Sequence, residues 1–310
     1  AESVEGCEVV FHCASGGGSD QEYLDINING TRNILNACEK HGVRRLVFVS
    51  SIAVHGPEPP DGADEYDDYR SFGRGYSDSK IAAEKMVMEA SRRTELQVSI
   101  IRPTFVWGPR SNLFTVRPLR EMQSGTFRLV DQGQGDCHAV FIETLVDAII
   151  AASVQENAAG RPFLVSDGYD ITWKQFFACY ATMLAIGALP SLSASSKTVR
   201  WRCKAYQKLR THLEVWKTNP APLWRKVLRR AMRIAADRIQ NLGVMNEWDL
   251  KKFSRQGTLN TQSTQQILRI TPRYSFEEAV ELTEAWVRDQ LGEELKLSPK
   301  CETAELTCAV

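Results

Sequence analysis

This sequence predicts an α/β fold, a doubly wound parallel sheet followed by a smaller and mostly helical domain. Three observations predict it. Strand-type and helix-type patterns alternate through the first third of the chain, the strands are continuous apolar runs, and the order loosens beyond Gly108. Such alternation builds βαβ units, and strands apolar on both faces belong to parallel sheets covered by helices on each side.

The elements follow in order. Glu8–Ala14 (EVVFHCA) is a short β-type run, followed by a glycine-rich loop at Gly16–Asp20. Glu22–His41 carries Leu24, Ile28, Ile34, Leu35 and Cys38 at helical spacing, and Gly42 supplies its C-terminal stop. Arg45–Ser50 (RLVFVS) is a buried strand, and Asp61–Asp68 an acidic loop. Tyr76–Ser91 reads as a helix, and Gln97–Arg102 as a third strand stopped by Pro103. Beyond it come a helix at Phe141–Ser153, a short strand at Pro162–Ser166, a turn at Ser166–Gly168 and an amphipathic helix at Thr172–Ala185. Ser191–Lys197 is a connector. Ser275–Leu291 is a closing helix, with Ser275 as N-cap and Glu277 and Glu278 complementing the dipole. The expected domains are 1–106 plus 140–168 for the sheet, 107–139 plus 169–293 for a substrate domain, and 294–310 as a tail.

Composition narrows the function classes. The 310 residues allow about two domains at ~100–200 residues each. The 38 Lys+Arg balance 38 Asp+Glu, so the protein is neither basic nor acidic throughout and any charge effect is local. No apolar run reaches the ~18–20 residues of a membrane span; the nearest, Ala139–Ala152, carries Glu143 and Asp147. The 8 cysteines form no C-x-x-C pair and no Cys/His zinc spacing, so no metal is expected. Cys7, Cys13, Cys38 and Cys179 lie in apolar segments, where a thiol acts as a small hydrophobe. A reducing, cytoplasmic setting is expected.

The most informative pattern is Tyr76-Ser-Asp-Ser-Lys80, with Ser50-Ser51 upstream. Helical i,i+4 spacing places Tyr76 and Lys80 on one face. A phenol is a poor base at neutral pH, and an adjacent ammonium lowers its pKa. Ser51 stands at the carboxyl end of a strand, where open α/β sheets hold ligands. Its hydroxyl can hold a substrate oxygen while Tyr76 moves the proton. That trio suits oxidation of a secondary alcohol, or reduction of its ketone, beside a nicotinamide. Taken alone, Y-x-x-x-K also describes a surface tyrosine and lysine on any helix.

The neighbouring motifs decide between these readings. VFHCAS (Val10–Ser15), NINGTRN (Asn27–Asn33), LVFVSSIAVHG (Leu46–Gly56), YSDSK and IIRPTFVWGP (Ile100–Pro109) run in one register. So do GQGDCHAVFIETLVDAIIAA (Gly133–Ala152), RPFLVSDG (Arg161–Gly168) and ILRITPRYSFEEAVELTEAWV (Ile267–Val287). Together they resemble the extended short-chain dehydrogenase/reductase superfamily, in its NAD-dependent epimerase/dehydratase and 3β-hydroxysteroid dehydrogenase branch. The resemblance implies a Rossmann-type sheet and NAD or NADP as cofactor. It implies Ser51, Tyr76 and Lys80 as a catalytic triad, with Asn27 supporting the active-site helix. Ala14, Ser15, Ser50 and Pro103, with Tyr76 and Lys80, would line the cofactor cleft. His55 stands for the family's usual tyrosine, and no consequence is expected. Substrates of two kinds fit the branch: a steroid-like alcohol or ketone, or a nucleotide sugar whose diphosphate would meet Arg110, Arg117 or Arg120.

One departure is large. The strand, G-x-x-G-x-x-G turn and helix with which the family begins, where a helix N-terminus holds the pyrophosphate, are not found. Gly16-Gly17-Gly18 lacks the spacing. The chain is therefore expected to be a fragment of a longer protein that binds cofactor poorly, with EVVFHCA as an open, aggregation-prone sheet edge; the alternative is a non-catalytic member that has lost cofactor binding. Lys197–Gln240 is the other exceptional stretch, with thirteen Lys/Arg against Glu214 and Asp237, and with Trp201, Tyr206, Trp216 and Trp224 interleaved. It reads as an amphipathic helix with a wet basic side, as a site of peripheral membrane contact, or as a phosphate-recognising stretch for a nucleotide sugar. No nucleic-acid module is recognised. The expected partners are a small-molecule substrate and, in a homodimer, a second copy of the chain.

Overall fold

The computed structural model describes residues 2–17, 20–73, 75–215, 227–235 and 246–299. In chain order its strands are β1 Val9–His12, β2 Arg45–Val49, β3 Gln97–Pro103, β4 Phe105–Trp107, β5 Leu129–Val130, β6 Ala139–Phe141, β7 Arg161–Val165 and β8 Ser191–Leu192. The helices are α1 Asp20–Glu22, α2 Thr31–His41, α3 Gly75–Arg93, α4 Arg117–Gln123, α5 Ile142–Val154, α6 Trp173–Met183 and α7 Lys197–Val215. Then come α8 at 227–235, α9 Glu247–Ser254, α10 Gln262–Leu268 and α11 Phe276–Leu291. The chain divides into two compact units. One comprises Ala1–Phe114, His138–Tyr169 and Gly257–Leu282, the other Thr115–Cys137, Asp170–Gln256 and Thr283–Val310.

The first unit is built on a four-stranded, wholly parallel sheet in the order β1-β2-β3-β7. Side chains alternate across a strand, so the apolar run of β2 serves two cores at once. Leu46 and Phe48 pack with Leu35 and Cys38 of α2 and Ala83 and Val87 of α3. Val47 packs on the opposite face with Ile101, Phe163 and the α5 residues Leu145, Ala148 and Ala152. That second core also takes Leu268, with Ile267 and Ile270 against it. Their burial is why residues 257–282 group with the sheet and not with the substrate domain, where the sequence reading placed them. β1 lies at the edge, and its Phe11 is 46% exposed.

Several of the polar residues buried in this unit tie its elements together. Arg45 opens β2 fully buried and donates to Gln97 Oε1 and to the carbonyls of Ser153 and Gln155, at the C-terminal end of α5. Those carbonyls have no partner within the helix, and a guanidinium there also complements its dipole. Arg102 of β3 grips Glu84 of α3 through Nε–Oε1 at 3.0 Å and Nη2–Oε2 at 2.6 Å, both side chains being almost without exposure. Arg102 also donates to the Glu65 carbonyl at 2.7 Å and lies 3.1 Å from His55 Nε2. His55 Nδ1 faces the Asp68 carbonyl at 3.3 Å, so Nδ1–H donates there and Nε2 accepts from Arg102. His55 is thus a buried tie between the acidic loop and β3, where the sequence reading gave it no consequence. Burial, with Arg102 beside it, lowers its pKa.

The second unit centres on aromatic rings. Trp173 stacks on Phe177 at 5.6 Å and meets Phe253 edge-on at 4.6 Å, and Phe127 meets Phe177 at 4.8 Å. A capping box of Thr172 and Gln175 starts α6 beneath them. α7 is seated through Val199 and Cys203 on Val130 and Leu250. Other expectations are corrected. Cys7 and Cys13 are exposed and not packed as hydrophobes, whereas Cys38 and Cys179 are buried. The connector after Pro190 holds β8, which pairs with β5. Strands β4 and β6 pair with each other and were too short to leave a pattern. Trp216, Trp224 and the part of the expected tail from residue 300 onwards lie outside the described residues. Among those described, no helix is long and apolar enough to cross a membrane.

Two stability predictions follow from these buried groups. Replacing Glu84 with Leu strands the Arg102 guanidinium without its counter-charge and should destabilise the protein by about 3–5 kcal/mol in urea titrations. The double variant Glu84→Leu with Arg102→Met should recover most of that loss; an equal or larger loss would contradict the reading. His12, buried in β1, has its pKa lowered to about 4, by burial first and by the Lys80 charge second. The neutral imidazole is favoured in the fold, so this stability is complete above pH ~6.5 and falls as pH drops towards 4, by about 3 kcal/mol. His12→Gln should flatten the pH dependence of unfolding across that window by this amount.

Candidate active site

The carboxyl ends of β1 and β2 bring the site together within the first unit. After β2 the chain continues as Ser50 and Ser51 and enters a single turn of 3-10 helix, Ile52–His55. Ser51 caps that turn, its Oγ accepting from the Ala53 N–H at 3.2 Å. Ser50 N–H donates to the Ile101 carbonyl at 2.7 Å, and its buried hydroxyl has no hydrogen-bond partner among the described residues.

α3 carries Tyr76 and Lys80 to this place. The Tyr76 phenol is hydrogen-bonded with the Ser51 side chain, a contact that favours the phenolate, and its ring meets Tyr23 edge-on at 5.8 Å. Burial outweighs that contact and raises the phenol's pKa. The sequence reading expected Lys80 to lower it. Instead the Lys80 ammonium is buried, donates to the Val49 carbonyl at 2.9 Å and lies 5.2 Å from the Phe48 ring. Burial lowers the Lys80 pKa to about 8, while Glu84, one turn further along α3, opposes the shift. Glu84 is the carboxylate gripped by Arg102, so the buried pair extends to the lysine as a row of alternating charge.

Asn27 organises the approach from β1. The expected helix from Glu22 is interrupted here: Tyr23–Gly30 is π-helical and becomes an ordinary helix only at Thr31. Wider turns of this kind recur at functional sites. This one holds Asn27, which is 2% exposed. Its Oδ1 accepts from the Gly16 N–H at 2.8 Å and faces the Ser15 hydroxyl at 3.3 Å, and its Nδ2 donates to Ser79 Oγ at 2.9 Å. Ser79 Oγ in turn donates to the Tyr76 carbonyl at 2.7 Å. The Thr31 hydroxyl donates to the Asn27 carbonyl at 2.6 Å and is therefore an acceptor for His12 Nε2–H at 2.9 Å. Gly16 is required by contact. A Cβ there would stand 2.9 Å from the Glu22 carbonyl oxygen.

The remaining candidates are placed as follows. Ala14 and Ser15 are exposed just beyond β1, and Pro103 ends β3. Arg110 follows Gly108–Pro109 with φ of 66°. In the second unit Arg117 donates to Glu121 at 2.7 Å, and Arg120 to Glu294 at 2.6 Å and 2.9 Å. Sequence reasoning missed Glu84, Arg102 and Ser79. Only the i,i+4 step from Lys80 to Glu84 could have signalled them. No cluster of three or more His, Cys, Asp or Glu among the described residues is arranged to hold a metal ion.

Comparisons with known proteins agree with this architecture. N-acetyl-alpha-D-glucosaminyl-diphospho-ditrans,octacis-undecaprenol 4-epimerase of Escherichia coli O157:H7 is 34% identical over 142 residues, 44% of this chain and 41% of that protein. Short-chain dehydrogenase/reductase family 42E member 1 of Danio rerio is 30% identical over 254 residues, 70% of this chain and 65% of that protein. The chain spans about half the length of the curated relatives it matches. The structure of UDP-glucuronic acid 4-epimerase from Bacillus cereus in complex with NAD superposes with a TM-score of 0.66 at 14% identity, covering 93% of this chain and 76% of that one, which shows the shared fold. Residues 1–185 match the family model described as the 3-beta hydroxysteroid dehydrogenase/isomerase family. With that match over more than half its length, the chain belongs to the 3-beta hydroxysteroid dehydrogenase/isomerase family.

Proposed function

We propose that this chain carries the catalytic residues of a nicotinamide-dependent oxidoreductase that interconverts a secondary alcohol and its ketone. The observation that carries the reading is the hydrogen bond joining Tyr76 and Ser51 at the end of β2, with the Lys80 ammonium one helical turn away. The unpartnered hydroxyl of Ser50 and the ammonium of Lys80 fit the ribose and nicotinamide end of NAD or NADP. When bound, that group supplies the hydride acceptor or donor. The chain's own residues do the rest. Ser51 Oγ holds the substrate oxygen, and Tyr76 Oη takes the hydroxyl proton in oxidation or returns it in reduction. Asn27 is a positioning residue: through Ser79 it fixes the first turn of α3, and through Gly16 the loop after β1.

For the substrate, a steroid-like alcohol is the preferred reading. Its support is that Arg117 and Arg120, candidates for a diphosphate, are already matched by Glu121 and Glu294. The family match points the same way. A nucleotide sugar is the second reading, supported by similarity to the UDP-glucose 4-epimerase of Vibrio cholerae, 32% identical over 176 residues.

Two measurements test the mechanism. In the complete protein, with a hydroxysteroid panel and NAD or NADP, Tyr76→Phe should lower the rate of reduced-cofactor formation by about 10²–10⁴-fold and leave cofactor binding intact. Undiminished turnover would end the proposal. The charged fraction of Lys80 falls as pH rises through about 8, so the rate should decline above that pH. A rate that climbs steadily to the phenol's own range would contradict the role given to the ammonium.

A further inference from the structure

A tyrosine side chain turns about two torsions, and one hydrogen bond at its tip does not fix both. Tyr76 stands in the first turn of α3, directly after Gly75. Ser51 holds its oxygen. The ring needs a support of its own if that oxygen is to stay in place.

The π-helical segment Tyr23–Gly30 supplies it. Tyr23 is half-buried, and its ring meets the Tyr76 ring edge-on, with centroids 5.8 Å apart and planes at 60°. In that geometry the positive rim of one ring faces the negative face of the other. Four residues along the same segment, Asn27 donates to Ser79, which lies three residues beyond Tyr76 and donates to the Tyr76 carbonyl. The two segments thus meet in two rungs, Tyr23 with Tyr76 and Asn27 with Ser79. One rung holds the ring and the other holds the backbone of the same residue.

Two ordinary α-helices side by side would hold these rungs less well. Four α-helical residues advance about 6 Å and three about 4.5 Å, so the rungs would fall out of step by about 1.5 Å. A π-helix, bonded from i to i+5, is wider and advances less per residue. Its winding lets four residues keep step with three of α3. The closeness of the two phenols has an electrostatic side as well, since Tyr23 works against ionisation of Tyr76.

We propose, resting on the catalytic reading of Tyr76, that Tyr23 is a second positioning residue of the site. Its ring braces the Tyr76 ring so that the phenol oxygen stays against Ser51, while Asn27 braces the turn beneath. Tyr23 lies outside the Tyr76, Lys80 and Ser51 pattern and touches none of the reacting atoms.

Kinetics and a spectroscopic signal test this together. In the complete protein, with a hydroxysteroid panel and NAD or NADP, Tyr23→Leu should lower kcat about tenfold and leave KM within about twofold. Tyr23→Phe keeps the ring and should bring kcat back to within about threefold of the parent. With isotope-labelled tyrosine, the resonance that Tyr76→Phe removes should shift in Tyr23→Leu and stay near its place in Tyr23→Phe. That signal requires no turnover. An unchanged kcat in Tyr23→Leu, an equal defect in Tyr23→Phe, or an unmoved Tyr76 resonance would each overturn the proposal and leave the role of Tyr76 standing. Undiminished turnover in Tyr76→Phe would instead overturn the catalytic reading, and the proposal with it.

Discussion

One carboxamide holds the candidate site in shape. Asn27 joins three pieces of chain distant in sequence: the loop after β1 through Gly16, the π-helical turn in which it sits, and the first turn of α3 through Ser79. Its donor and acceptor sides are both used, so the amide has one workable orientation. A carboxylate of similar size would keep the acceptor contact and lose the donor one, and an aliphatic side chain would lose both. The buried hydrogen bond from His12 to Thr31 lies directly behind it, and the neutral imidazole there keeps a second positive charge away from Lys80.

Beneath that surface, the charges run as a row: Lys80, Glu84, Arg102. Each is buried, and alone each would be costly to desolvate. Together they make the buried lysine tolerable, because Glu84 favours its charged form while Arg102 and the Tyr69 hydroxyl hold Glu84 in place. The Arg102–Glu84 bonds also tie β3 to α3. Core packing and the state of the lysine are therefore set by one cluster, and a change made for stability there reaches the lysine.

Much of the fold was legible because buried parallel strands are short apolar runs, and β2 and β3 announce themselves that way. The Tyr76–Lys80 step was legible because helical geometry makes i,i+4 residues neighbours. What was not legible has physical reasons. The π-helical turn leaves no period in the sequence, so Glu22–His41 read as one helix. Arg102 and Glu84 meet across β3 and α3, a pairing no local pattern records. The phenol's environment depends on how deeply Tyr76 is sunk, which spacing does not encode, and the expected lowering of its pKa gave way to burial. In α8 an apolar and a basic arc could be read from the sequence, but not that both are exposed, at Arg230 and Arg233 as at Val227 and Ile234.

The edge position of β1 has a consequence for the site. Among the described residues β1 has one hydrogen-bonded neighbour, β2, and it leads directly into Cys13–Gly16, where the Gly16 amide is held by Asn27. A strand laid along its outer side would bond to backbone within a few positions of that carboxamide. If such pairing orders the Cys13–Gly16 loop, then order in the site favours the pairing by the same free energy. The outer side of β1 would in that case act as a remote handle on the helix that carries Tyr76.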